Sequence, residues 1–193
     1  RFKSPREIEW SAPADWKEVG NPSRLRKATY QIPGTSEEAK AELSVTQIGG
    51  TVDMNVERWQ GQFIERPEAK RTEQMVRGLS VTVVELEGTL RGSALMRPTQ
   101  RSQEKPPNKP NYKLLAAIVG TYPLHFFKMT GPKETVESAR GSFDSLVASI
   151  KPVAAKPESK LGRRKVGGAT PRPSASSSAS ASAAPSVDTD HDH

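Results

Sequence analysis

Apolar and polar residues alternate through residues 25–32. Ala28, Tyr30 and Ile32 fall on one side, so this stretch predicts a β-strand. Pro33-Gly34 stops it, because proline donates no hydrogen bond and glycine favours the turn. Residues 42–48 alternate again, with Leu43 and Val45 pointing one way, until Gly49-Gly50 breaks the strand. The period then changes. Thr51 is a natural helix N-cap and Asp53 suits the positive end of a first turn. Val52, Val56, Trp59 and Phe63 recur at helical spacing, which predicts a helix from residue 52 to about 62 or 63. Residues 78–90 are rich in Val and Thr and predict a strand that turns near Gly88.

Residues 112–119 are apolar on both parities. Tyr112, Leu114, Ala116 and Ile118 face one way, and Leu115, Ala117 and Val119 the other, as in a strand covered on both sides. Residues 124–129 are its expected hairpin partner. A last helix is expected from Thr130 or Gly131 as cap, with Pro132 at its first position and Glu134 in its first turn. Its stripe is Val136, Ala139, Phe143, Leu146 and Ile150, and Lys151-Pro152 ends it. Near the start, Trp10, Pro13 and Trp16 precede the turn residues Gly20, Asn21 and Pro22, which predicts a short strand, a turn and two indoles packed over the sheet edge.

Two stretches carry no such pattern. Residues 97–111 hold four prolines among Arg97, Arg101, Lys105 and Lys109 and read as a long basic loop. From residue 152 the chain becomes Lys/Arg/Gly/Pro-rich, then almost wholly Ser and Ala, and closes on an Asp/His run. Such a composition cannot bury enough apolar surface to offset its ordering entropy. The expected organisation is one globular α+β domain over residues 5–151 and a disordered tail over 152–193.

Composition narrows the chemistry. The chain has 193 residues, 34% of them hydrophobic, and no cysteine, which removes disulfides, thiol nucleophiles and thiolate metal sites. The net charge is +7. Residues 151–193 carry seven basic and four acidic side chains, a net +3, and residues 1–150 the remaining +4. That modest excess favours solubility and weak attraction to anionic surfaces without singling out nucleic acid. No stretch approaches the roughly 20 apolar residues that span a bilayer. The chain opens on Arg1 rather than Met, so a removed leader is expected.

Candidate chemical groups are few. His125 is the one histidine before the tail and shares a strand face with Phe127 and Met129. A structural histidine is the simpler reading; a general acid or base of a hydrolase is the sharper one and needs a nucleophile aimed at the ring. No phosphate-binding glycine loop, H-E-x-x-H or calcium-loop pattern is present, so no cofactor, resident metal or catalytic set is expected. The terminal Asp188 to His193 run would hold a metal only loosely. Trp59 is most simply a core anchor. Arg58 and Gln62, four residues apart, can meet on a neighbouring helix face and grip a carboxylate or a partner's backbone. Arg58, Trp59 and Gln62 are therefore the candidate binding residues. Lys160 to Lys165 offer a patch for nucleic acid or anionic lipid, but no interleaved aromatic supports base stacking.

Trp10-x-x-Pro13-x-x-Trp16 leads into Arg26-x-Ala28-Thr29-Tyr30-x-Ile32-Pro33. Then come Gly49-Gly50, Asn55-x-x-Arg58-Trp59-x-Gly61-Gln62-Phe63 and Phe126-Phe127-Lys128-Met129-Thr130-Gly131-Pro132. Over residues 8–150 this series resembles a family of uncharacterised exported bacterial proteins, many of them predicted lipoproteins, similar in fold to the PsbP/Mog1 group. The resemblance implies an antiparallel sheet between helices, an α/β/α sandwich. It implies export to the periplasm or envelope, a lipid anchor upstream of Arg1, and a non-enzymatic accessory role with an envelope protein or other envelope component as partner. It carries over no catalytic residue.

Overall fold

Two parities of side chains leave strand β7 (Lys109–Val119) for two different cores. Leu115, Ala117 and Val119 join one cluster, Leu114, Ala116 and Ile118 the other, and each of the six is at most 1% exposed. A strand apolar on both faces needs cover on both, and the chain supplies it from its two helical stretches. Residues 7–21, 23–96 and 104–153 are described by the computed structural model. The expected tail therefore lies, beyond Val153, outside the described residues.

Around β7 runs a seven-stranded, wholly antiparallel sheet. Its other members are β2 (Lys17–Val19), β3 (Arg26–Ile32), β4 (Ala41–Ile48), β5 (Lys70–Val76), β6 (Leu79–Leu90) and β8 (Leu124–Pro132), in the order β2-β3-β4-β8-β7-β6-β5. A separate two-stranded pair, β1 (Ile8–Glu9) with β9 (Lys151–Pro152), ties the two ends of the described chain together.

Helix α1 (Val52–Gln60) follows the glycine break, where Gly50 takes a φ of 105°. Thr51 accepts the Met54 N–H through its hydroxyl, satisfying one orphan donor of the first turn. Val56, Trp59 and Phe63 are buried against Val84, Leu86, Leu114 and Phe126. On the opposite face, α2 (Lys133–Ser138) and α3 (Arg140–Ser149) bring Val136, Phe143 and Leu146 against Leu43, Val45, Phe127 and Met129. Each such side chain contributes on the order of 1.5–3 kcal/mol by leaving water. Trp10 and Trp16 pack on this same face, Trp10 against Phe127 of β8 and Trp16 against Tyr30 of β3, the strand next to the edge strand β2. The Trp10 ring stands edge-on to Phe127 at 5.2 Å and donates its N–H to the Tyr30 hydroxyl.

The last helical stretch departs from its expected form. Pro132 pairs with Tyr112 as the end of β8 and keeps a ψ of 137°, so it flanks α2 instead of opening it. At Ala139 the dihedrals move to φ −85° and ψ 0°, which divides α2 from α3. The hydrogen bonds from Ala139 N–H to Thr135 and from Phe143 N–H to Ala139 still run four residues back, so the buried stripe continues across the break. The long loop is also shorter than expected, since β7 begins at Lys109. Strand β5, Lys-Arg-Thr-Glu-Gln-Met-Val, has no apolar alternation and escapes any reading by period. It forms by pairing all seven residues with β6, and almost all of it is exposed as an edge strand.

Close approach of β8 to β4 depends on Gly131. A Cβ built there would stand 2.5 Å from the Ala41 Cβ and 2.8 Å from its Cα. Gly131→Ala is expected to cost roughly 1–3 kcal/mol by overpacking. The urea midpoint should fall accordingly, and a midpoint equal to wild type would mean that these strands separate freely.

Candidate functional site

Alternation along β8 sends Leu124, Phe126, Lys128 and Thr130 to the α1 side of the sheet. The β4–β8 register sets Phe126 beside Thr46, Lys128 beside Ser44 and Thr130 beside Glu42. Trp59 of α1 meets Phe126 edge-on at 5.8 Å. Nine residues long, the helix covers the Phe126 end of this face and leaves the Lys128 end to other cover.

That cover is a 3-10 turn, Gly92–Leu95. Its Gly92 is pinned by the N–H donated to Asn108 Oδ1 at 3.0 Å, and a Cβ there would collide with the Pro106 carbonyl. Between turn, helix end and sheet lies a hollow of about 320 Å³. Arg26, Glu42, Lys128 and Thr130 line its sheet side, Gln62 comes from beyond the α1 C-terminus, and Leu90 and Leu95 form an apolar wall.

Its charges are unevenly matched. Arg26 and Glu42 form an ion pair at 2.6 Å. Half-buried Lys128 has no carboxylate within ion-pair distance among the described residues. Burial pulls its ammonium down from the usual 10.5 to about 8; the Arg26 and Arg58 cations add to the fall and Glu42 opposes it. The Thr130 hydroxyl, in the same lining, is buried without a hydrogen-bond partner among the described residues. An unmatched cation beside an unmatched hydroxyl in a shielded hollow is chemically an anion-receiving arrangement.

Of the residues singled out from sequence, Gln62 lines the hollow. Arg58 is exposed on α1 and donates to Asn55 Oδ1 at 2.5 Å, while buried Asn55 is itself anchored to the Thr51 carbonyl at 2.8 Å. Its charge acts on Lys128, but it does not line the cavity. Trp59 is 3% exposed and belongs to the core. Arg26, Glu42, Lys128 and Thr130 escaped the sequence reading. One signal was available: Lys128 interrupts the apolar run Phe126-Phe127-x-Met129, where a solvated cation is out of place.

His125 lies on the other parity of β8 and is fully buried. Its Nδ1 is 2.7 Å from the Thr121 hydroxyl oxygen, which also lies 2.7 Å from the Pro123 carbonyl. Thr121 has one proton, and the carbonyl can only accept. The consistent network has Thr121 donating to Pro123 and the His125 Nδ1–H donating to Thr121, with Nε2 left as an acceptor without a partner among the described residues. Burial holds the imidazole down at about 4; Lys27 adds to this and Glu7 opposes it. A hydroxyl thus does sit within reach of the ring, but both side chains are buried, and a general base must meet its substrate. Among the described residues no three metal-ligating side chains cluster, and no helix is long and apolar enough to cross a membrane. The Lys160–Lys165 patch and the Asp188–His193 run lie outside the described residues.

No protein-family model matches the sequence, and no curated protein matches it. Among solved structures, the chain is similar to a protein of Bacteroides thetaiotaomicron, at 13% identity and a TM-score of 0.39, over 76% of this chain and 45% of that one. It is also similar to the cyanobacterial PsbP protein (CyanoP) of Synechocystis, at 10% identity and a TM-score of 0.43, over 79% of this chain and 95% of that one. The chain spans less than half the length of the Bacteroides protein.

His125 and Lys128 both have lowered values in the fold, so each makes stability rise with pH, in two separate windows. His125 has its ordinary value of 6.5 when unfolded and about 4 when folded, so the unfolded chain takes the proton first and stability falls as pH drops through that window. The loss should approach roughly 3 kcal/mol, and His125→Gln should remove it in urea titrations across the same window. Glu87, held low by its hydrogen bond from Lys133, gives up its contribution only below the ordinary carboxylate value of 4.5. For Lys128 the folded value lies below the unfolded one, so its ammonium penalises the fold fully below pH 8 and progressively less up to 10.5. Lys128→Met should raise stability at neutral pH by roughly 1–3 kcal/mol, a gain that shrinks as pH climbs through that range. A destabilised Lys128→Met protein would mean that the ammonium has a structural partner.

Proposed function

We propose that this chain is a non-catalytic binding or accessory domain of the bacterial envelope, whose ligand or partner engages the C-terminal flank of α1 through Arg58 and Gln62. The observation that carries the reading is that Gln62 opens onto the same hollow as the unmatched Lys128, with the Arg58 cation close enough to act on that ammonium. Trp59 serves this surface from below. Wedged edge-on against Phe126, it fixes the roll of α1 and so the direction in which Arg58 and Gln62 are presented. The burial of His125 supports a binding role over a hydrolytic one.

The two core clusters, one built around α1 and the other around α2 and α3, support a three-layer α/β/α sandwich of the PsbP/Mog1 kind. In this reading residues 5–151 form the domain and 152–193 a basic, then Ser/Ala-rich tail. Export, and a lipid anchor upstream of Arg1, follow from the resemblance of the Trp-Pro-Trp, Arg58-Trp59 and Phe126–Pro132 motifs to exported proteins. The partner is then another envelope component.

Affinity capture from native envelope extract, with the full chain as bait, tests the reading. A partner held by wild type and lost by the Arg58→Ala, Gln62→Ala double variant is the expected result. Equal retention by both would place the interaction elsewhere and overturn the assignment of this surface.

A further inference from the structure

The polar hollow has a net charge, a depth and an apolar wall, and together these define a ligand class more narrowly than a partner surface does. Three cations lie in or near it. Arg26 is neutralised by Glu42 at 2.6 Å. Arg58 stays exposed on the helix, tied to Asn55. Lys128 lines the hollow beside the Arg26–Glu42 pair, and no carboxylate lies within ion-pair distance of it among the described residues. The charged side chains of the described lining, Arg26, Glu42 and Lys128, therefore sum to +1.

Two further observations shape the ligand. The buried Thr130 hydroxyl has no hydrogen-bond partner among the described residues and lies on the same strand face, two residues from Lys128. Across from them stand Leu90, Leu95 and Met96, which offer nothing to a hydrogen bond. A fully hydrated inorganic anion would leave that wall facing water-bound oxygen, whereas a carboxylate with a short aliphatic body satisfies both sides. The volume of about 320 Å³ falls at the small end of ligand cavities.

We propose that the hollow is a binding site for a small aliphatic monocarboxylate, its carboxylate held by the Lys128 ammonium and the Thr130 hydroxyl and its hydrocarbon body laid against Leu90, Leu95 and Met96. The assignment rests on the reading of this chain as a binding domain and names the ligand class for the same flank of α1. It also gives the half-buried ammonium a role. A lysine that loses hydration and, among the described residues, meets the charges of Arg26 from β3, Glu42 from β4 and Arg58 from α1, with none on the 3-10 turn, is costly to keep without an anion. Binding pairs the cation, raises its proton affinity and draws a proton from solution at mildly alkaline pH.

Calorimetric titration of the full chain with straight-chain carboxylates from acetate to octanoate tests this, alongside hexanamide and inorganic phosphate. At neutral pH at least one carboxylate should saturate, with hexanamide and phosphate much weaker. Affinity should fall by about tenfold or more in Lys128→Met, whose urea midpoint confirms a folded chain, and by a smaller factor in Thr130→Val. In the wild type, affinity should decline towards tenfold per pH unit above about 8, with proton uptake on binding. Any of three results overturns the proposal: no saturable carboxylate binding, equal affinity in folded Lys128→Met, or phosphate binding more tightly than every carboxylate. A chain that still captures a partner through Arg58 and Gln62 while binding no carboxylate would sink this assignment and leave the broader one standing.

Discussion

Strand β7 sends Leu114, Ala116 and Ile118 to one side and Leu115, Ala117 and Val119 to the other, and neither set can be left in water. The rest of the architecture answers that demand. One face is closed by α1 with Trp59 and Phe63, the other by α2 and α3 with Val136, Phe143 and Leu146. Antiparallel neighbours β6 and β8 extend the same two-sided pattern sideways before the sheet runs out into polar edges. Close contact between β8 and β4 depends on the missing side chain of Gly131, which lets Ala41 lie against the strand.

Cover on the α1 side is incomplete, and that incompleteness produces the site. A nine-residue helix spans about 14 Å, too little to shield a seven-stranded sheet. Where it stops, the apolar lining of β4 and β8 gives way to Ser44, Glu42, Lys128 and Thr130. A 3-10 turn held through Gly92 and Asn108 closes over them without filling the space. Placing a cation there works against the fold, since burial weakens the ammonium's hold on its proton.

Lys128 and His125 show how one strand treats two titratable groups by parity alone. On the α2–α3 side His125 is fully buried, neutral and locked through Thr121 to the Pro123 carbonyl. Three residues on, Lys128 turns to the other face and meets a cavity in place of packed side chains. The first group stabilises the fold only while it is neutral; the second is charged near neutrality and open to an anion.

Local pattern was enough for much of this. Period-two alternation located β3 and β4, and Val/Thr richness the centre of β6; the Thr51 cap and the Val52–Phe63 stripe located α1; double-sided hydrophobicity marked β7 as a strand with two cores, with β8 as its hairpin partner. These are properties that a residue shares with neighbours a few positions away. Strand β5 has no such property, because an exposed edge strand is held by backbone pairing with β6 and not by its own side chains. Of the residues lining the hollow, sequence spacing had singled out Gln62, just beyond the end of α1. It could not reach Arg26, Glu42, Lys128 and Thr130, drawn from three strands up to about a hundred residues apart, since only the sheet register brings them to one hollow. The sequence alone determined which stretches must hide their apolar faces; only the tertiary structure decided where that hiding falls short, because the reach of a helix across a sheet depends on elements that are distant in the chain.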